Sequence, residues 1–188
     1  MRAAIQGGRP MQKQLTLLVM VLALLSPGLL WAEAAKPTDP QIAHIAYTAG
    51  LLDVEAGKQA LEKSKNKDVR AFAQQMIGDH TAVNDQALAL VKKLNVTPED
   101  NATSQSLAKQ ANATREKLAG LTGAAFDKAY VDNEVTYHKA VNGALSSTLI
   151  PDAQNTELKS LLQKGLQVFQ SHLDHAEQLA TQLKSAKS

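Results

Sequence analysis

The sequence predicts an all-α protein, a four-helix bundle made of two antiparallel hairpins with a helical crossover between helices two and three. Three observations predict it. Apolar residues recur in alternating steps of three and four over four long stretches, which places them on one stripe of a helix. Two of the links between those stretches are short and polar, and the third is long. Last, no two-residue alternation competes for a strand, and with 10 Gly and 4% aromatic residues few breaks interrupt the helical pattern.

The first 34 residues read as a leader. Lys13 precedes the apolar run Leu15–Leu25, interrupted only by Thr16; Ser26-Pro27-Gly28 and the small-residue pattern Ala32-Glu33-Ala34 follow. A basic start, a short apolar segment and an A-x-A site make a secretory signal peptide over residues 1–34. The run falls short of the ~20 residues of a membrane span. The expectation is cleavage after Ala34, a mature single domain over 35–188 with no transmembrane span, and a periplasmic location.

Helix one is expected after Asp39 as N-cap, with Pro40 at the first helical position and a stripe through Ile42, Ile45, Ala49, Leu52 and Ala56. The polar link Ser64–Lys67 turns the chain into helix two, whose stripe runs through Val69, Ala73, Met76, Val83, Ala87, Leu90 and Leu94. Pro98 and a polar cluster mark a loop over 95–103. Residues 104–121 carry Leu107, Ala111, Thr114, Leu118 and Leu121, a more polar helix read as the crossover. Thr122-Gly123 breaks the chain before helix three, Ala124–Thr148, which Leu149-Ile150-Pro151-Asp152 should stop. Helix four, about Asn155–Lys184, has its stripe at Leu158, Leu162, Gly165, Phe169, His172, Ala176, Leu179 and Leu183. The long crossover favours ferritin-like connectivity over a simple up-down-up-down bundle.

Charge narrows the function. Residues 1–34 hold three of the 20 basic and one of the 18 acidic side chains, leaving 17 of each. A neutral mature chain has no electrostatic footprint for nucleic acid. The chain has no cysteine, so disulfides, thiolate ligands and a lipid anchor on cysteine are excluded. The expected assembly is a monomer or weak homo-oligomer.

Three helices place a histidine where an apolar seam residue belongs: His80, His138 and His172. A buried imidazole without partners costs ~1–3 kcal/mol, so three such choices need a reason. Glu134 lies on the same face as His138, four residues earlier, and Glu55 at the border of the helix-one stripe offers a further carboxylate. Inward Glu and His on facing helices build metal centres in bundles. Imidazole with carboxylate suits iron, manganese, zinc or copper, and the absence of thiolates leans away from copper(I), although Met76 is one turn before His80. Levels along the hairpins fit only in part. Counted from Pro151, His138 and His172 differ by ~12 Å, and Glu134 is the closer match to His172. His44 is too far along helix one to share the site, and His175 reads as a flank or supporting residue.

The segments Phe72-Ala73-Gln74-Gln75-Met76-Ile77-Gly78-Asp79-His80-Thr81, Phe126-Asp127-Lys128-Ala129-Tyr130-Val131 with His138, and His172-Leu173-Asp174-His175-Ala176 resemble a bacterial exported family of unknown function. Its members are often labelled outer membrane proteins and are placed among ferritin-like bundles. The resemblance covers about residues 39–182. It implies a ferritin-like four-helix fold and export, and no established activity. Its recurring histidines fall on His80, His138 and His172, and Glu55 lies in its Glu-x-Gly-Lys pattern, here Glu55-Ala56-Gly57-Lys58. The chain departs from the two Glu-x-x-His motifs of diiron oxidases, because Glu134 and His138 are four apart and no second copy is present. Nothing alternates like the strands of a barrel.

Two functions remain open on the sequence. One is an exported bundle that binds a transition metal through Glu55, His80, Glu134, His138 and His172, for metal buffering or redox protection. The other is a non-catalytic structural or stress-related envelope protein whose buried histidines only fix helix packing. No nucleophile elbow or HExxH motif points to a hydrolase.

Overall fold

The computed structural model describes residues 36–185. The signal-peptide reading falls on residues outside that range. Among the described residues the chain is all-helical: α1 Asp39–Lys63, α2 Lys67–Lys93, α3 Ala102–Ala119, α4 Gly123–Ala144, a π-helical turn Leu145–Leu149, a short α5 Ile150–Asp152 and α6 Thr156–Ser185. No helix among them is long and apolar enough to cross a membrane. The two hairpins, α1 with α2 and α4 with α6, pack together, and α3 crosses between them against α1.

The ends of the helices follow from their caps. Asn66, Asn101 and Asn155 each accept from two backbone N–H groups at the starts of α2, α3 and α6, which satisfies donors the helix itself leaves free. Helix one differs from expectation by one residue. Its N-cap is Thr38, whose N–H donates to Gln41 Oε1 at 3.1 Å. Asp39 instead reaches across the bundle: its two carboxylate oxygens accept from the backbone N–H of Gln154 and Asn155, both at 2.8 Å. The start of α1 is thereby tied to the start of α6.

The second hairpin turns later than Pro151 suggests. The helix continues through the π-helical turn and α5 to Asp152; Pro151 follows directly on the π-helical turn, whose wider pairing, Ile150 N–H to the Leu145 carbonyl oxygen, loosens the helix where the proline ring and its missing N–H must be accommodated. The link is therefore Ala153–Asn155. Counted from Gln154, His138 and His172 lie ~24 and ~27 Å along their helices, so the mismatch of ~12 Å expected from Pro151 falls to ~3 Å.

Two apolar clusters fill the bundle. One surrounds Phe72, Met76, Phe126, Tyr130, Val131 and Leu179, toward the first hairpin turn. The other surrounds Ile42, Ile45, Leu145, Leu158, Leu162 and Phe169, toward the second. The α1–α2 approach between them is close: a Cβ added at Gly57 would stand 2.9 Å from Ile77 and 3.1 Å from the Ala73 carbonyl oxygen. Only glycine permits that spacing without a shift.

The Asp39 tether sets a first prediction. Asp39→Ala strands two backbone donors and is expected to lower stability by about 1–2 kcal/mol. Asp39→Asn, with one acceptor oxygen left, should lose less. Urea unfolding checks both, the midpoint moving while the slope holds.

Candidate metal centre

Between the two apolar clusters lies a layer of buried polar side chains. Asp53 comes from α1, His80 from α2, Glu134 and His138 from α4, and His172 from α6; each is at most 2% exposed. Helix-periodic positions place them, one each on α1, α2 and α6 and two, four residues apart, on α4, and the hairpin geometry brings those positions to one level.

The three rings converge. One nitrogen from each of His80, His138 and His172 lies within 4.8 Å of the others, and Asp53, Glu134 and His138 satisfy the same limit. His138 belongs to both groups. Its Nδ1 is 3.0 Å from the Glu134 carbonyl oxygen, so Nδ1–H donates there and the lone pair sits on Nε2. His172 is held from the opposite side, its Nε2–H donating to Asp79 Oδ2 at 2.8 Å, which leaves Nδ1 free. The His80 ring stacks on Phe169, centroids 4.4 Å apart and planes 13° from parallel. Each imidazole is therefore fixed by a neighbour: His138 by the Glu134 backbone, His172 by Asp79 and His80 by Phe169.

The layer is under-partnered. Asp53 Oδ2 is 2.6 Å from His80 Nε2, yet the approach lacks hydrogen-bond alignment, and both atoms remain without a partner. So do His80 Nδ1, His138 Nε2, His172 Nδ1 and both Glu134 oxygens. Buried polar atoms in native proteins are nearly all satisfied. Seven such atoms in one layer, all acceptors but for the N–H that His80 must carry on one nitrogen, form a set that wants a cation or ordered water.

Electrostatics divides the two carboxyls. Burial pushes Asp53 up, but His80 and then His138 pull it harder, and its carboxyl falls well below the usual carboxylate range. Glu134 is pushed well above its ordinary value by burial and by the Asp53 charge. Burial lowers His138 against the opposing pull of Asp53. It also lowers His172, to about 4, with the Asp79 hydrogen bond opposing. Both rings are neutral near pH 7, the form that ligates. Burial and the nearby carboxylates raise the hydroxyls of Tyr130 and Tyr137 well above normal.

Of the residues singled out in the sequence, the structure brings together His80, Glu134, His138 and His172 and leaves Glu55 outside. Glu55 is exposed and pairs with Arg115 of α3. Asp53, two residues earlier, takes the inward position. The signal was present: Ala49, Asp53, Ala56 and Ala60 form their own four-three-four series, and all four are buried. Asp79 was missed as a support because a supporting residue sits half in solvent and carries no periodic mark. His44 stands 3.8 Å from Asp100, and His175 Nδ1 is 3.0 Å from Gln75 Oε1. Met76 belongs to the apolar cluster.

The profile of a domain of unknown function, DUF4142, matches residues 27–179. The chain belongs to this family. Membership carries no assigned activity. A search of curated proteins finds no match. Among solved structures, the chain is similar to the "putative secreted protein DUF305 from Streptomyces coelicolor", with a TM-score of 0.66 at 11% identity over 77% of this chain and 92% of that one. At that identity the likeness speaks for the helical fold alone.

The lowered histidines set the pH response of the metal-free protein. Between the ordinary 6.5 and about 4 the unfolded chain holds more protons on the position of His172 than the folded one does. Stability contributed there is present above pH 6.5 and lost as pH falls through that window. His138 acts in the same direction; Glu134, raised, acts in the opposite one as pH climbs. After chelation, the melting temperature is expected to drop from pH 6.5 to 4. His172→Gln, which keeps a polar side chain but cannot titrate, should flatten part of that drop in a circular-dichroism melt.

Proposed function

We propose that this DUF4142 protein binds a transition-metal ion in the layer between its two apolar clusters, with His80, His138 and His172 as the imidazole donors and Asp53 and Glu134 as the carboxylate donors. The observation that carries the reading is the set of orphaned atoms: an imidazole nitrogen from each of three histidines, one oxygen of Asp53 and both of Glu134, buried, without hydrogen-bond partners and gathered in two triads that share His138. An apolar layer would avoid the ~1–3 kcal/mol that each orphan costs. A cation turns that cost into binding energy.

The donor types narrow the ion. Nitrogen and oxygen with no sulfur suit iron, manganese, zinc or copper(II) over copper(I). The outer supports fit the same reading: a ligating histidine commonly gives its other N–H to a carboxylate or a backbone carbonyl, as His172 does to Asp79 and His138 to Glu134. A bound ion of this class supplies Lewis acidity or one-electron chemistry. What the chain supplies is a dry site with fixed rings. We place the protein in the periplasm, exported by its leader, where a buried centre of this kind serves metal buffering or redox protection.

The test is metal content. Protein exported in its native host and purified without a histidine tag should carry near one ion per chain. His80→Ala and His172→Ala should lose it, and Asp79→Asn should weaken affinity by ~10–100-fold. Glu55→Gln should change nothing. Restoring metal at 100 times the dissociation constant should raise stability by about 2.7 kcal/mol. A chain that is metal-free as isolated, and whose melting ignores added iron, copper, zinc and manganese, overturns the proposal; its histidines then only fix helix packing.

A further inference from the structure

The crossover helix is attached to the bundle differently from the four long helices. Of the 18 residues of α3 only Ser104 and Leu118 are buried. It packs mainly against α1 and little against α4. A cavity of about 900 Å3 lies between the three helices, and Leu107, Ala111 and Thr114 of α3 line it. Burial of apolar surface, the main cohesive force elsewhere in the fold, is therefore scant beneath this helix.

What fastens α3 is polar and runs to α1. At its C-terminal end Arg115 pairs with Glu55. Gln59 Nε2 donates to the Arg115 carbonyl oxygen at 2.9 Å, and Lys63 Nζ to that of Ala119 at 2.7 Å. Ahead of α3 the Glu99 N–H donates to the Pro40 carbonyl oxygen at 3.1 Å, and Asn101 Nδ2 to that of Gln41 at 3.4 Å. The polar residues at this outer end of the cavity are already engaged within the chain. Lys36 pairs with Asp152, Gln41 Oε1 accepts from the Thr38 N–H, and Asn101 Oδ1 accepts from the N–H groups of Thr103 and Ser104. Exposed pairs hold weakly. The fit is also incomplete, because Gln59 Oε1 and Arg115 Nε are buried there without partners, atoms that water would satisfy. A helix with few buried apolar contacts and solvent-exposed fastenings is the kind of unit that opens by itself.

The position of α3 bears on the polar layer. Asp53 and Glu134 both line the cavity beneath it, yet neither is more than 2% exposed. We propose that α3 is a lid: it lifts from α1 as a unit while the four long helices stay packed, and the lifted state admits an ion to Asp53 and Glu134. The second half rests on the metal reading; the first half does not.

Hydrogen exchange of the chelator-treated protein tests the lid. Amides 106–119 should be at least ~100-fold less protected than the buried-face amides of α2 and α6, and nearly indifferent to low urea, as local opening is. Leu162→Ala weakens the core on α6, away from α3. It should cut protection in α2 and α6 by at least ~10-fold and leave that of α3 at the parent value, because the lifted state keeps the same core. Arg115→Met with Lys63→Met removes two fastenings and should lower α3 protection by ~5–10-fold. Stopped-flow uptake of cobalt(II), read by its visible absorption, tests what the lid admits. In the double variant uptake and release should both accelerate by the factor seen in α3 exchange, with affinity unchanged; in Leu162→Ala uptake should stay at the parent rate. An α3 as protected as α2 and α6, or losing protection with them in Leu162→Ala, overturns the lid. Parent-rate uptake in the double variant overturns its role in admitting the ion. A chain that takes up no cobalt(II) counts against the metal reading, while the exchange pattern still decides the lid.

Discussion

The contact between Asp53 and His80 is the constraint around which the bundle is arranged. Their nearest atoms stand 2.6 Å apart, and neither side chain is more than 2% exposed. Taking an ion into such a place costs several kcal/mol even after relaxation. The cost is tolerable only when an opposite charge or a strong dipole is already waiting, so α1 and α2 must meet at this level and in this register. Gly57, one turn further along α1, removes the Cβ that would hold them apart. The second hairpin then completes the layer from the other side. His138 brings its free nitrogen to within 3.8 Å of the same Asp53 oxygen, and the His172 ring lies 5.2 Å from that of His80.

A polar layer between two apolar clusters divides the labour of the fold. The clusters around Phe72 and around Ile42 bury most of the large side chains and provide the driving force. The layer adds little to that force. It restricts which arrangements of the helices are acceptable, because a slide by one turn would put a carboxyl among leucines. Buried polar groups sometimes fix register in this way. What distinguishes this layer is that, beyond the Asp53–His80 contact, its members leave atoms unpaired. The rings are oriented by Asp79 and Phe169 outside the layer and by the Glu134 backbone carbonyl one turn away on the same helix, and His80 Nδ1, His138 Nε2 and His172 Nδ1 are left without partners. A layer meant only for register would be expected to close its own hydrogen bonds.

Much of this was legible in the chain. Periodicity gives the four long helices because each has a face that must avoid water, and His80, Glu134, His138 and His172 stand out because they occupy that face. Asp53 was harder to see. A stripe drawn through Leu52 assumes a helix with one buried side, but α3 lies against α1 and buries a second one, so both Leu52 and Asp53 are inside. Nothing in the α1 segment announces that covering. The choice of Glu55 followed from the same assumption, and its real partner, Arg115, is on the covering helix. The second hairpin shows a different limit. Pro151 reads as a stop, yet the π-helical turn before it makes room for the ring, and the continuous run to Asp152 moves the turn by three residues. That shift is what brings His138 and His172 to one level.

The crossover helix also decides how the layer meets the outside. The cavity beneath α3 is lined by both carboxyls of the layer, Asp53 and Glu134, and by none of its three histidines. On the imidazole side, Phe169 stacks on His80 and edges toward His138, so aromatic packing covers the rings. The buried carboxyls of the layer therefore lie nearest the cavity and its imidazoles farthest from it. Any ion or small molecule that approaches through the cavity meets carboxyl oxygen first and imidazole nitrogen second. For a cation this order is favourable, because Asp53, held ionised by its two histidines, presents negative charge at the inner end of an apolar passage where little water screens it. Had α3 packed flat on α1 and α4, the carboxyls would have been sealed with the rings, and the interior would be a closed polar core with no route to it.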